Sequence, residues 1–573
     1  MRRGGPLPAR AGGVHMSKRD DAGRTGANIL LDVIESEGGE YLFGNPGTTE
    51  LPLIDALTDR AHLHYVLGLQ EATVVAMADG YAQASGKPGV VNLHTAGGLG
   101  HGLGNLLNAF TSGTPLVVTA GQQDSRHAIT DPLLQGDLVS IARPACKWAA
   151  EITSPDQIPV LMHRAFQDCQ ATPRGPVFLS LPMDVMEAHS SVRIPRTSHV
   201  DRRPVAGSLP ELAVELTAVE PGRVAIIAGD EISFNDAYKE VVRLAELLAA
   251  PVFGSSWPAH IPFPTSHYLW QGNLPTQAVG IAEAMQGFDC VFALGGKSFI
   301  TILYSAASAL PEGCELYQLS VDGRDLGRTF PSKLSVVGDI ELSLKALNGL
   351  IEKRIAPRAA AYAAARDVAR QAYSARKREL ESRALALADA QEIHPLVAAR
   401  MLARSIGATP IVDEAIATAS HLRSFLNNGS TRQYSFLRGG ALGWGMPAAV
   451  GFSLGLGRRP VVSLVGDGAA MYSPQALWTA ANEDLPVTFI VINNREYNVL
   501  KNFMRSQPHY LSAQTGAFIG MDLVAPPIDF MALAAAMGVP GRQITRAVDI
   551  ENAVTEAIAS CRPNLIEIVV ATE

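Results

Sequence analysis

The run of β-branched and apolar residues from Val461 to Val465 breaks directly into Gly466-Asp467-Gly468. A helical segment follows, and a second such run, Val487 to Ile492, stops at Asn493-Asn494. This pattern reads as two parallel strands joined by one crossover helix, which places both strand ends on the same edge of a sheet. That edge is where open α/β sheets bind ligands, so Asp467 and Asn494 are expected to be neighbours. A carboxylate and an amide oxygen beside glycine-rich backbone suit a hard cation such as Mg²⁺, which takes few protein ligands and completes its octahedron with phosphate oxygens. Taken singly, each residue is also an ordinary capping residue of a βα turn.

The same alternation of helix and strand fills most of the chain. A helix is expected over residues 27–38 and a strand over 41–43. The turn Gly44-Asn45-Pro46-Gly47 comes next, then apolar strands at 90–94, 115–121 and 176–182. This predicts a parallel α/β domain over residues 26–190. A polar, proline-containing stretch then leads into a second α/β domain, 191–350, with strands at 223–229, 251–256, 289–295 and 315–320. Residues 351–392 are rich in Ala and Arg and predict a solvated helical linker whose charges need no ligand. The third domain, 393–573, opens with a helix at 395–407 and a strand at 410–415. The predicted fold class is therefore α/β, with three doubly wound parallel-sheet domains. Residues 1–25, rich in Arg, Gly and Pro, predict a disordered extension in which Met16 offers a second start.

Composition excludes several functions. A formal net charge of −8 over 573 residues leaves no nucleic-acid footprint and no polybasic membrane surface. No apolar run approaches the ~18 residues of a membrane span. The five cysteines are scattered, without a C-x-x-C pair, so neither a disulfide framework nor a zinc site is expected and a reducing cytoplasm is the default.

Further motifs sharpen the chemistry. Gln70-Glu71-Ala72 precedes Ala78-Asp79-Gly80-Tyr81-Ala82, His94 ends a strand, and Asn45-Pro46-Gly47-Thr48-Thr49-Glu50-Leu51-Pro52 forms a loop. With Gly466-Asp467-Gly468 and Asn493-Asn494, these segments resemble the thiamine diphosphate enzymes, and specifically the benzoylformate decarboxylase branch, over nearly all of residues 27–570. The resemblance implies that Asp467, Asn494 and the main-chain carbonyl of Glu496 hold Mg²⁺. It implies that Glu71 hydrogen-bonds the aminopyrimidine of thiamine diphosphate and that His94 is a catalytic acid–base group. Thr48 stands where the branch has an active-site Ser, still offering a hydroxyl for the substrate carboxylate. Leu442 corresponds to the apolar wedge under the cofactor and the Gly440 carbonyl to an acceptor for its amino group. Glu414, Ala417, Gly468, Ala469 and Tyr497 fall on the diphosphate-binding segments.

The resemblance also has gaps. Ile302 stands where the branch carries its second catalytic His. Val499 and Phe503 lie where the substrate pocket is shaped, and Val499 is larger than in aryl-accepting relatives. His101, in the glycine-rich segment Gly97 to Gly102, is a candidate replacement if that segment is a flexible loop.

The implied reaction is non-oxidative decarboxylation of a 2-oxo acid to an aldehyde and CO₂. Making or cleaving 2-hydroxy ketones, as acetolactate synthases do, is the alternative. By family analogy a homodimer or homotetramer carries its sites at subunit interfaces. Two rivals stand apart: a non-catalytic homologue, and a nicotinamide oxidoreductase in which Gly443-Trp444-Gly445-Met446-Pro447-Ala448 is a dinucleotide fingerprint and Asp467 its ribose-binding acid.

Overall fold

The computed structural model describes residues 23–430 and 432–572. It contains three six-stranded sheets in which every strand runs parallel to its neighbours. The first sheet runs His64–Leu67, Tyr41–Gly44, Gly89–His94, Leu116–Gln122, Val177–Pro182, Ala149–Glu151. The second runs Trp270–Asn273, Val252–Gly254, Val224–Ala228, Cys290–Leu294, Glu315–Ser320, Leu334–Val337. The third runs Tyr434–Phe436, Ile411–Glu414, Val461–Gly466, Val487–Asn493, Asn564–Val569, Gly541–Ile544. Inner strands such as Val224–Ala228 and Val487–Asn493 are buried along their whole length, which is why they read as unbroken apolar runs.

The first and third sheets reverse their winding a second time at the far edge, but each sheet has one reversal beside its first strand. The reversal falls between Tyr41–Gly44 and Gly89–His94, between Val224–Ala228 and Cys290–Leu294, and between Ile411–Glu414 and Val461–Gly466. At such a switch point the two flanking turns diverge and leave a crevice. The sheet order thus singles out Asn45 to Glu50 with His94, Gly229 to Glu231 with Gly295, and Glu414 to Thr418 with Gly466 to Gly468.

Six helices matter for the sites: α1 (Glu71–Ser85), α2 (Thr95–Ser112), α3 (Ala359–Ala386), α4 (Ala419–Phe425), α5 (Gly445–Gly455) and α6 (Asn498–Arg505). Helices α1 and α5 press the first and third domains together. A Cβ on Gly80 would lie 2.0 Å from the Ala448 carbonyl oxygen and one on Gly451 only 1.8 Å from that of Met77, so the helix backbones meet without side chains between them. The Trp444 indole N–H donates to Asp79 across the same contact at 2.8 Å.

Three expectations change. Of the N-terminal extension, residues 1–22 lie outside the described residues, whereas Arg24–Thr25 pair antiparallel with His189–Ser190. The Gly97 to Gly102 segment is not a flexible loop: it is the start of α2, so His101 is fixed on a helix. Helix α3 is largely exposed, as a linker should be, yet its charges are engaged. Arg376 donates to the Trp270 carbonyl at 2.9 Å and to the Gln271 side chain, and Lys377 donates to the Ser424 carbonyl at 3.0 Å.

Candidate active site

The first-domain half of the site is built at the switch point of its sheet. Glu71 is the first residue of α1, where the partial positive charge of a helix N-terminus favours a carboxylate. Its carboxyl is buried against Gly98, where a Cβ would come within 2.9 Å of Oε1. Asn45 donates to Oε1 at 3.5 Å, and His101 Nδ1 lies 3.1 Å from Oε2. His101 therefore leans on the expected activator. His94 ends its strand, and the loop from Gly47 to Glu50 folds over the ring so closely that a Cβ on Gly47 would fall 2.2 Å from Nδ1.

Glu50, which sequence reasoning passed over, organises this loop. Its buried carboxylate accepts from the Gly47 N–H at 2.9 Å, the Thr49 hydroxyl at 2.7 Å and the Gly121 N–H at 3.0 Å, and it lies 2.7 Å from His94 Nδ1. A carboxylate at Nδ1 makes that nitrogen the protonated one and leaves Nε2 for chemistry. Thr48 sits exposed at the rim, and the hydroxyl near His94 Nδ1, at 3.2 Å, belongs to Thr49. The only advance signal for Glu50 was an acid two residues beyond Thr48 in the same loop.

The third-domain half lies at the other switch point. The register pairs Gly466 with Ile492, so Asp467 emerges beside Asn493 and Asn494 as the two runs required. The turn is closed by hydrogen bonds. Asp467 accepts from the Arg495 N–H at 2.7 Å, and Asn494 Oδ1 accepts from the Glu496 N–H at 3.2 Å, with Arg495 in the left-handed region at φ 61°. Asn493 instead donates to the buried Glu567 at 2.6 Å, a structural role that separates it from its neighbour. The Glu496 side chain is taken by Lys501, so only its main chain is open to the role the resemblance implies. Burial pushes the Asp467 carboxyl up to about 6, partly offset by the N–H groups of Gly468 and Arg495. An adjacent cation would relieve that cost.

The backbone around these residues fits a flat, anionic cofactor. Ala417, Gly439 and Gly440 are exposed. A Cβ on Gly440 or Gly466 would meet nothing within 4 Å, and Gly440 adopts φ 83°. A Cβ on Gly468 would strike the Tyr497 ring at 2.4 Å, so only glycine lets that strand end and Tyr497 approach. Asn108 of α2 holds the segment in place, donating to the Ala441 carbonyl at 2.8 Å and accepting from its N–H at 3.0 Å. Leu442 is half-buried against the core shared by the first and third domains.

Glu414 plays a second unforeseen part. Its side chain is fully buried and accepts from the N–H groups of Gly443 (2.6 Å), Trp444 (3.3 Å) and Gly445 (2.6 Å), and burial pushes its pKa up to about 7. Those N–H groups are the ones a dinucleotide fingerprint offers to pyrophosphate. Their occupation by Glu414 removes the physical basis for the oxidoreductase alternative, and leaves only the Glu414 main chain free for diphosphate.

Comparison with known proteins shows the family. Residues 24–140 match the N-terminal TPP-binding domain of the thiamine pyrophosphate enzymes, residues 219–347 their central domain and residues 405–568 their C-terminal TPP-binding domain. The chain is a thiamine pyrophosphate enzyme. It is 32% identical to a benzoylformate decarboxylase of Pseudomonas aeruginosa over 95% of this chain and 98% of that one. It is 28% identical to a putative acetolactate synthase large subunit of Mycobacterium tuberculosis over 95% and 99%. Among solved structures it is similar to a thiamine diphosphate-dependent 4-hydroxybenzoylformate decarboxylase of Rhodococcus jostii, with TM-score 0.84, 28% identity and coverage of 96% and 100%. A benzoylformate decarboxylase of Polynucleobacter necessarius gives TM-score 0.84 at 30% identity over 96% and 99%.

In this thiamine pyrophosphate enzyme Ile302, Val499 and Phe503 come together. They line one cavity of about 580 Å³ between the central domain, α3, α4 and α6, and Ile302 is 46% exposed within it. Glu71, His94 and Thr48 do not line this cavity; within one chain Glu71 bonds only Asn45 and His101. Among the described residues no helix is long and apolar enough to cross a membrane.

Proposed function

We propose that this enzyme is a Mg²⁺-dependent, non-oxidative decarboxylase of a 2-oxo acid, releasing an aldehyde and CO₂. The observation that carries the reading is the pair His94 and Glu50: an imidazole fixed in one tautomer at a switch-point crevice, in a chain akin to benzoylformate decarboxylases. Bound thiamine diphosphate supplies the electron sink that loss of CO₂ requires. Glu71 holds the shared proton at the aminopyrimidine, seconded by His101. Asp467, Asn494 and the Glu496 carbonyl hold Mg²⁺, a donor set of one carboxylate and two neutral oxygens suited to a small hard cation that also binds diphosphate. His94 Nε2 moves protons on the substrate side, while Thr48 at the rim binds its carboxylate.

Among the described residues of one chain Glu71 and Asp467 share no hydrogen bond, which supports a dimer or tetramer in which Glu71 of one copy faces Asp467 of another. A soluble cytoplasmic setting fits the same reading. The decisive experiment is anaerobic incubation of the protein, reconstituted with thiamine diphosphate and Mg²⁺, with aryl, branched and short-chain 2-oxo acids. CO₂ and aldehyde in equal amounts are expected; cofactor binding with silence across the panel overturns the reading.

Carboligation to 2-hydroxy ketones is the second reading, and Ile302 favours it. An apolar residue in place of the second His removes a proton donor, which lengthens the time in which a second carbonyl compound can be captured. It predicts a hydroxy ketone when an acceptor aldehyde is added.

A further inference from the structure

The cavity that holds Ile302, Val499 and Phe503 has a second, cationic end that the decarboxylase reading does not use. On α3, Tyr373, Arg376, Lys377 and Leu380 recur at the spacing of one helix face and form a wall of the cavity. Arg423 of α4 lines it from another side. Three positive charges thus share a space of ligand size with apolar side chains.

Among the described residues none of these cations makes an ion pair. Arg376 and Lys377 donate to the neutral acceptors described above, and Arg423 donates to the Tyr434 hydroxyl at 3.2 Å and stacks over the Phe436 ring. The carboxylates that reach them are committed or suppressed. Glu381, near Lys377, is paired with Arg400 at 2.7 Å. Asp413, near Arg423, accepts from the Tyr434 hydroxyl at 2.7 Å and burial raises its pKa. Burial also lowers the pKa of Arg376 and Lys377. Lys377 and Arg423 are half-buried and Arg376 is exposed; half-buried cations without counter-charge are costly unless the ligand supplies an anion.

We propose that this cavity is a subsite for a second anionic group, so that the substrate is a 2-oxo acid carrying a distal carboxylate or phosphonate bound by Arg376, Lys377 and Arg423. The inference rests on the decarboxylase reading for its 2-oxo acid. Ile302, Val499 and Phe503 then pack the apolar middle of such a molecule. A neutral aryl acid would leave the cations uncompensated, which sets the specificity against it.

The test uses unreactive probes, so it does not depend on turnover. Calorimetry on the enzyme loaded with thiamine diphosphate and Mg²⁺ compares benzoate, terephthalate and 4-phosphonobenzoate, in wild type and in the double variant Arg376→Gln/Lys377→Gln. At low salt at least one dianion is expected to bind about 10-fold or more tighter than benzoate, and the advantage is expected to shrink below about 3-fold in the double variant and with added salt. Which dianion gains identifies the group. Equal affinity of all three probes in wild type, or an advantage that survives the double variant, overturns the proposal. If the double variant does not fold, Arg423→Gln is read by the same criterion. Decarboxylation, run in parallel on a 2-oxo acid panel widened to acids with a distal carboxylate or phosphonate, fails only if the underlying reading is wrong and leaves the binding result standing.

Discussion

The central and C-terminal sheets are both six-stranded and parallel, with strand orders 3-2-1-4-5-6 and 2-1-3-4-6-5, and they treat their switch points oppositely. In the central sheet a Cβ on Gly229 would lie 2.1 Å from the Gly295 carbonyl oxygen, so the two turns close on each other. Glu231 fills what remains, accepting from the Ser320 hydroxyl at 2.9 Å and the Val321 N–H at 2.9 Å. In the C-terminal sheet Gly466, at the end of the second switch-point strand, faces open space, and the acid beside it, Asp467, has backbone N–H partners among the described residues. Sheet order creates the crevice in both. Whether it becomes a site depends on the first turn after each strand: one that folds inward consumes the crevice, and one that folds away leaves it for a ligand.

The largest effect is expected from the open half-sites. Glu71→Gln should lower turnover about 10²- to 10⁴-fold while thiamine diphosphate affinity changes far less, because the lost function is proton sharing and not anchorage. Hydrogen–deuterium exchange at C2 of bound cofactor reads this directly; exchange at the wild-type rate would remove Glu71 from activation. Asp467→Ala should weaken Mg²⁺-dependent cofactor binding on the order of 10²-fold. Glu231→Gln, the matching change in the closed crevice, should leave that affinity where it was. Cofactor titration by fluorescence quenching compares the two, and equal losses would erase the distinction between open and closed.

Glu50→Gln probes the first-domain crevice. The amide cannot hold His94 Nδ1 as the protonated nitrogen with the same force, so kcat should fall about 10²-fold with KM little altered. The pH profile of kcat should shift as well, which a purely structural role for Glu50 would not produce.

The contrast also explains what sequence could and could not reveal. All interior strands but Asn564–Val569 were legible because burial on both faces demands unbroken apolar runs such as Val224 to Ala228. All six edge strands, from His64–Leu67 to Gly541–Ile544, went unread: they are short, and all but the buried Tyr434–Phe436 are partly exposed and look like loop. Asp467 and Asn494 were legible because two strand ends fix them. Glu50 and Glu414 were not, since their role lies in hydrogen bonds to backbone far away in sequence, at Gly121 and at Gly443 to Gly445. The cationic face of α3 was hidden for a similar reason: an Ala- and Arg-rich helix announces its conformation but not which of its faces meets a cavity.

Glycine substitutions separate packing from ligand access. Gly229→Ala forces a methyl group against the Gly295 carbonyl and should destabilise the protein by about 1–3 kcal/mol in chemical denaturation. Gly466→Ala meets nothing in the protein and should leave stability within about 0.5 kcal/mol, while still impeding the cofactor. Similar stability losses in both would show that the C-terminal crevice is as tightly closed as the central one.

A pH-dependent effect concerns the acids themselves. Burial pushes Glu231 from its ordinary 4.5 up to about 7, against the opposing hydrogen bonds from Val321 and Ser320. The folded protein then binds a proton that the unfolded chain has released. The stability tied to Glu231 is therefore complete below about 4.5, declines as pH rises to about 7, and is level above it. Glu231→Gln abolishes this titration, so the stability of wild type relative to the variant should fall between pH 5 and pH 7.5, by about 3 kcal/mol at most. Asp467, pushed up to about 6, should contribute a similar decline in the cofactor-free protein. Only there can the cost be removed by a ligand, because a cation bound at Asp467 takes the place of the proton. Adding Mg²⁺ and thiamine diphosphate should flatten the Asp467 part of the pH dependence and leave the Glu231 part intact, as the closed crevice has no room for a counter-ion.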